Sequence, residues 1–247
     1  MCFLELGLSA DTDMADRISE LHRLTFLSNS DAHSPWPNRM GREFNQLRLK
    51  DISFVEVEKS LKGENGRGAV LNVGLNPLEG KYHKTRCSGC LAFFRPQDAV
   101  RFGWRCPGCG KPIKKGVDFR IEELADLPAG EHPEKRPKYV HIIPLSEIIA
   151  LATGTKNVYS GKVQSVWNDF ISRFGSETRV LLDEDIPDLA KIDGGVAEYI
   201  RYFRENRINY IPGGAGVYGK LLPPGKRYEM RYYEFRQKGL GDFLRRK

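Results

Sequence analysis

Apolar positions fall into short runs near the N-terminus and into helical stripes further along the chain. Runs at 3–6 and 24–29 predict two strands, with a helix over 13–22 between them. A second helix is predicted over 52–62, with Val55 and Leu61 as its apolar positions. Strand, helix, strand, helix is the pattern of an α/β sheet or barrel, where ligand sites gather at the C-terminal ends of strands. Residues 62–68 (KGENGRG) read as a turn-rich linker, and 126–138 (DLPAGEHPEKRPK) as a Pro-rich charged loop or linker. Beyond it, 139–143 predicts a strand, and Ser146 is placed to cap a short helix that stops at Gly154. The plainest helical signal is 161–174, where Val163, Val166, Trp167, Phe170, Ile171 and Phe174 recur at helical spacing before Gly175. A strand is predicted over 180–182, and a helix over 195–205 with Val196, Ile200 and Phe203 inward. Further strands are predicted over 208–211 and over 227–235 (RYEMRYYEF). No internal repeat interrupts this order.

Charge sharpens the picture. The chain has 247 residues and a net charge of +7, spread unevenly. Residues 1–80 carry −3, 81–120 carry +8, 121–200 carry −6 and 201–247 carry +8. Localised positive charge is what a phosphate-backbone binder needs. No apolar run approaches the roughly eighteen residues of a membrane span. The start, MCFLELGLSADTD, lacks the basic region of a signal peptide. The expectation is a cytoplasmic globular protein with no membrane partner.

Four of the five cysteines form two CxxC pairs, Cys87–Cys90 and Cys106–Cys109, separated by fifteen residues. That spacing predicts a tetrahedral four-thiolate site holding a structural Zn²⁺ in a zinc ribbon, with no open position for catalysis. The arms carry Lys84, Arg86, Arg101, Arg105, Lys114 and Lys115, interleaved with Phe93, Phe94, Phe102 and Trp104. Basic and aromatic residues in this mixture suit phosphate contact and base stacking, although some of the aromatics are needed as the ribbon's own core. His83 is a further candidate for a phosphate contact. In YIPGGAGVYGK (210–220), Gly214, Gly216 and Gly219 match the spacing of a dinucleotide fingerprint. That reading fails because Leu-Leu-Pro-Pro-Gly follows where a helix must open. The loop instead offers Gly213, Gly214 and Gly216 for close approach to a phosphate or base edge, with Tyr210 and Tyr218 as stacking surfaces. Asp31 and His33, just past the strand at 24–29, have the look of two metal ligands; alone they are a weak signal.

Taken together, LELGLSADTDM, LSNSDAHSP, NRMGREFN, YHKTRCSGC, WRCPGCGKPIKKGV, RPKYVHIIPLSEIIA, KVQSVWNDFISRFG and YIPGGAGVYG resemble the endonuclease Q family, in that family's order. These are DNA-repair endonucleases built on a PHP (polymerase and histidinol phosphatase) domain. The resemblance implies metal-dependent nicking on the 5′ side of deaminated bases such as uracil and hypoxanthine, or at abasic sites. It implies a fold in three parts: the C-terminal part of a PHP-type distorted β/α barrel over 1–66, a zinc-ribbon region over 67–125, and a C-terminal α+β DNA- and lesion-binding domain over 126–247. Asp31 and His33 match the last PHP ligand motif, for a divalent metal such as Mg²⁺, Mn²⁺ or Zn²⁺. Glu5, near the end of the earlier strand, is a candidate to face the same pocket. The family's HxH motif is missing, so the other ligands are expected from elsewhere. Three outcomes fit: the chain pairs with a separate N-terminal PHP polypeptide, it is a truncated product or gene fragment, or its N-terminal piece is repurposed as a lid. Two further readings remain open: a non-catalytic zinc-ribbon module for damaged or single-stranded DNA, and a zinc-ribbon protein of RNA or transcription machinery.

Overall fold

The computed structural model describes residues 2–36 and 39–234. Its N-terminal unit is a parallel strand pair, β1 (Phe3–Glu5) and β2 (Thr25–Leu27), in register Phe3 to Thr25. The connection is helical but broken. Helix α1 (Thr12–Ala15) is capped by the Asp11 carboxylate, which accepts from Met14 N–H. The chain then turns extended at Ile18 before a 3₁₀ segment over Ser19–Arg23. The single helix predicted over 13–22 is therefore two pieces. The break keeps Asp16 fully buried, where Arg136 binds it. A small core of Leu6, Ala15, Leu24 and Phe26 closes the unit.

Strand β3 (Phe44–Arg48) and β4 (Gly68–Gly74) pair antiparallel around helix α2 (Phe54–Lys62). The α2 helix begins on the Ser53 cap and ends at Gly63, which takes a left-handed φ of 69°. Its burial differs from expectation. Val55 faces solvent, and the inward positions are Glu56 and Ser60. Glu56 is tolerated there because Arg67 and Lys59 bind its two oxygens and hold its pKa down at about 2. Neither β3 nor β4 is evident in the sequence, because FNQLR is polar and β4 is flanked by glycines.

The ribbon is minimal. Strands β5 (Arg86–Cys87) and β6 (Ile113–Lys114) pair antiparallel, with helix α3 (Pro96–Arg101) between them and α4 (Val117–Leu124) after. Its core is Cys87, Phe94, Ala99, Cys106 and Ile113.

Strand β7 (Lys138–His141) adds parallel to β4, so one sheet, β3–β4–β7, draws a strand from each of the three expected regions. Helices α5 (Leu145–Ala152), α6 (Gly161–Phe174), α7 (Glu177–Leu182), α8 (Ile186–Ala190) and α9 (Gly194–Arg204) then pack into the main core. The stripe read on 161–174 is inward as expected: Val163, Phe170 and Phe174 are buried. Ser146 is not the cap of α5. Pro144 holds that position, and Ser146 is buried inside the helix with its hydroxyl unpartnered. Residues 180–182 are helical, not a strand. The Ser176 hydroxyl accepts from Arg179 N–H and starts a helix whose Val180 and Leu181 face the core.

Strands β8 (Asn209–Ile211) and β9 (Lys220–Leu222) form a hairpin around the glycine loop, so a strand, and no helix, follows the glycines. Residues 227–234 form no strand beyond one bridge, Tyr232 to Phe93. This segment straps across the ribbon: Tyr233 N–H donates to Phe93 O at 2.7 Å and its ring stacks on Phe94 at 5.1 Å. Filling the ribbon core with Tyr233 competes with extended pairing. Phe235, the end of the predicted strand, lies outside the described residues. Among the described residues no helix is long and apolar enough to cross a membrane.

Candidate functional site

Three local features carry the candidate functional residues: the cysteine tetrad, the glycine loop beside it, and, separately, the Asp31–His33 loop. The tetrad comes first because its geometry is closed. One Sγ from each of Cys87, Cys90, Cys106 and Cys109 lies within 4.8 Å of all the others. Cys87 to Cys109 is 3.3 Å and Cys90 to Cys106 is 3.6 Å. A disulfide needs about 2.05 Å, whereas four sulfurs about 2.3 Å from one tetrahedral ion stand about 3.8 Å apart. The donor set therefore fits a metal such as zinc. Gly89 N–H points at Cys87 Sγ (3.3 Å). The Lys111 N–H with Cys87 holds the Cys109 thiol down at about 6, whereas burial and the neighbouring thiols push Cys90 up to about 12 and burial raises Cys106, so the four thiols share their protons unequally and binding a metal must release those that remain. A thiolate at neutral pH is the form a metal binds. Added at Gly89, a Cβ would sit 2.7 Å from the Lys111 side chain, which explains that glycine in the knuckle.

The ribbon's basic residues divide into two sets. Arg101, Arg105, Lys114 and Lys115 are exposed, with Lys115 paired to Glu123 at 2.7 Å and Arg105 reaching Gly110 O. Lys84 is half-buried against Asp118 at 3.0 Å. Arg86 is buried: its guanidinium lies 4.2 Å over the Phe93 ring and donates to Leu91 O and Pro212 O, fastening the ribbon to the glycine loop. His83 is buried too, beside Ser9 O at 3.2 Å, and burial lowers its pKa, so it faces no phosphate. All four ribbon aromatics pack inside: Phe93 and Phe94 are buried, and Phe102 and Trp104 lean on the ribbon core.

The glycine loop owes its composition to packing against 78–84. A Cβ on Gly213 would lie 2.4 Å from Gly80 O, on Gly214 2.3 Å from Lys84 O, and on Gly219 2.2 Å from Leu78 O. Only glycine permits so close an approach of two backbones. The loop's amides are spent there: Gly213 donates to Leu78 O, Gly214 to Val217 O, Gly216 to Lys81 O and Gly219 to Glu79 O. Tyr210 is half-buried, and burial with Glu79 and Glu147 raises its phenol pKa. Tyr218 remains at the surface.

Asp31 and His33 do come together after β2, with Asp31 Oδ2 3.5 Å from His33 Nε2, but they are 79% and 88% exposed. Among the described residues, the cysteines are the one group of three or more His, Cys, Asp or Glu ligands close enough to share an ion. Asp31 and His33 by themselves do not make a catalytic metal centre.

The residue missed by sequence reasoning is Glu43. It is buried at the start of β3, with Oε2 unpartnered and Arg42 Nε 3.8 Å away. Burial raises its pKa to about 7, against the pull of Arg42 and the Leu75 amide, and the charges of Glu5 and Asp31 push it further up. Glu5, Asp31 and Glu43 thus share one electrostatic neighbourhood. Nothing in a lone Glu after Gly-Arg announces this; only the fold creates it. Folded Glu43 holds a proton that the unfolded chain releases between pH 4.5 and about 7, so stability falls as pH rises through that window and is level above it. Glu43→Gln is expected to be more stable than the parent by about 2 kcal/mol at pH 8, with the advantage gone at pH 4.5. Urea unfolding at the two pH values measures this, and an equal effect at both would remove the assignment.

A carboxyl pair, Glu79 and Glu147, also unannounced, lines a cavity of about 420 Å³ between α5 and β9. Glu79 Oε1 is buried without a partner, and burial beside Glu147 raises its pKa well above the usual range. Burial raises Glu147 likewise.

A family described as the MJ0043 C-terminal domain matches residues 144–207, the helical core from α5 to α9. The uncharacterized protein MJ0043 of Methanocaldococcus jannaschii is 50% identical over 224 residues, 89% of this chain and 28% of that protein. The uncharacterized protein YqxK of Bacillus subtilis is 38% identical over 222 residues, 89% of this chain and 52% of YqxK. Two solved structures match. The lesion-specific endonuclease PfuEndoQ from Pyrococcus furiosus has TM-score 0.84 and 51% identity over 91% of this chain and 56% of its own. An endonuclease Q in complex with a 27-mer duplex carrying an abasic lesion has TM-score 0.85 and 50% identity over the same shares. The resemblance to endonuclease Q is borne out. The chain spans just over half the length of these solved relatives and of YqxK, and 28% of MJ0043.

Proposed function

We propose that this chain is the DNA-gripping and lesion-recognising portion of an endonuclease Q-like repair nuclease, which nicks 5′ to uracil, hypoxanthine or an abasic site. The observation that carries the reading is the likeness, at 50% identity over nine tenths of the chain, to an endonuclease Q crystallised on an abasic duplex. In this reading Zn²⁺ on Cys87, Cys90, Cys106 and Cys109 is structural and locks the two knuckles together. Arg101, Arg105, Lys114 and Lys115 contact the phosphate backbone from the exposed face of the ribbon. The β1–α1–β2 unit is a piece of a PHP-type β/α barrel, and Asp31 and His33 are two of its metal ligands. The remaining ligands are not among these residues and are supplied from outside them, whether on a separate PHP polypeptide or in the part of a longer chain from which this one is truncated, so these residues alone bind without cutting. The exposure of Asp31 and His33 also favours a second reading, a non-catalytic module for damaged or single-stranded DNA.

A binding and nicking assay separates these. Purified chain with Mg²⁺ or Mn²⁺ is expected to bind uracil, hypoxanthine or abasic duplexes about tenfold more tightly than undamaged duplex and leave them intact. Addition of a PHP polypeptide should then restore 5′ nicking that Asp31→Ala abolishes while binding persists. Restored nicking rejects the non-catalytic module. Equal affinity for undamaged duplex, or preference for RNA, would sink the lesion-directed reading.

A further inference from the structure

We infer that Lys81, Tyr82 and Tyr218 form a stacking platform for unpaired nucleotides; this rests on the chain being a DNA binder, as proposed above. The ribbon aromatics are inside, and the glycine-loop amides are consumed by the protein's own carbonyls. Base stacking at this end of the molecule therefore needs other side chains. Tyr82 and Tyr218 are 55% and 51% exposed. They straddle one ammonium: Lys81 Nζ lies 5.1 Å from the Tyr82 ring centroid and 5.5 Å from that of Tyr218.

The backbone behind these rings is fixed at several points. Gly216 N–H donates to Lys81 O, Val117 N–H to Tyr82 O, and Lys84 N–H to Gly213 O. Tyr82 N–H reaches the Ser9 hydroxyl. Two exposed rings on a rigid edge lose little conformational freedom when a base stacks on them, because a tyrosine has only two side-chain torsions to fix. Every base offers a π-face, so such a surface accepts unpaired nucleotides of any sequence, while an adjacent ammonium neutralises the connecting phosphate. By sequence alone, Tyr218 pairs with Tyr210 across the glycine loop. The fold replaces Tyr210, turned half inward, with Tyr82, which the sequence places 136 positions from Tyr218 and the glycine loop brings alongside.

The test uses the full chain and oligonucleotides with 2-aminopurine, either single-stranded or as one unpaired position in a duplex. Wild type is expected to quench 2-aminopurine on binding. Tyr82→Ala and Tyr218→Ala should each weaken single-strand binding about tenfold and relieve the quenching, and Tyr→Phe at either position should restore both. Lys81→Gln should lower the salt slope of single-strand binding by about 0.7. Fully paired duplex should be bound nearly as well by the Ala variants as by wild type. If wild type binds but the Tyr82→Ala/Tyr218→Ala double variant binds and quenches equally, the platform is wrong and the DNA-binding reading stands. If wild type binds no DNA, both fall.

Discussion

Cys106→Ser is expected to abolish tight binding of one equivalent of a metal such as zinc at the cysteine tetrad and to unfold the ribbon while the helical core stays folded. The reason is the smallness of what else holds the ribbon. Its two strands are two residues each, and five buried residues make its core, two of them the tetrad cysteines Cys87 and Cys106. A core of that size contributes a few kcal/mol at most. A structural zinc site contributes on the order of 10 kcal/mol of folding free energy. Three remaining thiolates leave an incomplete tetrahedron, and a serine hydroxyl does not replace the sulfur. Metal analysis should find about one zinc per wild-type chain and almost none in the variant. The near-ultraviolet signal of Trp104 and of the Phe94–Tyr233 stack should be lost. Far-ultraviolet helicity should persist, because α5 to α9 pack in a separate cluster. Cys2→Ser is the control: Cys2 is exposed and stands outside the tetrad. Unchanged zinc content in Cys106→Ser would refute the site.

What the sequence made legible divides along a physical line. The tetrad could be read because metal geometry imposes its own spacing, whatever the rest of the fold does. The helix at 161–174 could be read because its stripe is buried on one side and wet on the other. Where burial depends on partners remote in sequence, local pattern fails. Val180–Leu182 is β-like in composition and becomes helical because Ser176 caps it and the core accepts two of its apolar residues. The glycines at 213, 214 and 219 resemble a ligand loop in sequence, yet each is required by a carbonyl of the segment 78–84. Arg86 reads as a phosphate contact until the fold places it over Phe93. Glu43, Glu79 and Glu147 carry no pattern at all, since the burial that raises their pKa values is a property of the assembled fold.

The same line runs through the segment 126–138, which reads as a linker and is bolted down. Arg136 is 4% exposed and Asp16 is 0%. The Arg136 guanidinium binds both Asp16 oxygens at 2.7 to 3.0 Å, donates to Leu24 O at 2.7 Å and lies 3.5 Å over the Phe26 ring. His132 adds a bond to Asp16 at 2.9 Å from a more exposed position. Removing one member of such a pair strands the other charge in the interior. Asp16→Ala is therefore expected to cost about 3–5 kcal/mol in urea unfolding, and His132→Ala under about 1 kcal/mol. Replacing both partners by apolar residues, Asp16→Leu with Arg136→Met, should recover most of the loss, since no charge is then left buried. A loss below about 1 kcal/mol for Asp16→Ala would mean the guanidinium finds water when its partner is gone. The functional consequence follows from position. Arg136 joins the β1–α1–β2 unit, which carries Asp31 and His33, to the strand β7 that leads into the helical core. On the proposed function, loosening it should uncouple the loop bearing the metal-ligand candidates from the half proposed to grip DNA, so lesion-directed nicking with the remaining ligands supplied should fall further than DNA affinity does.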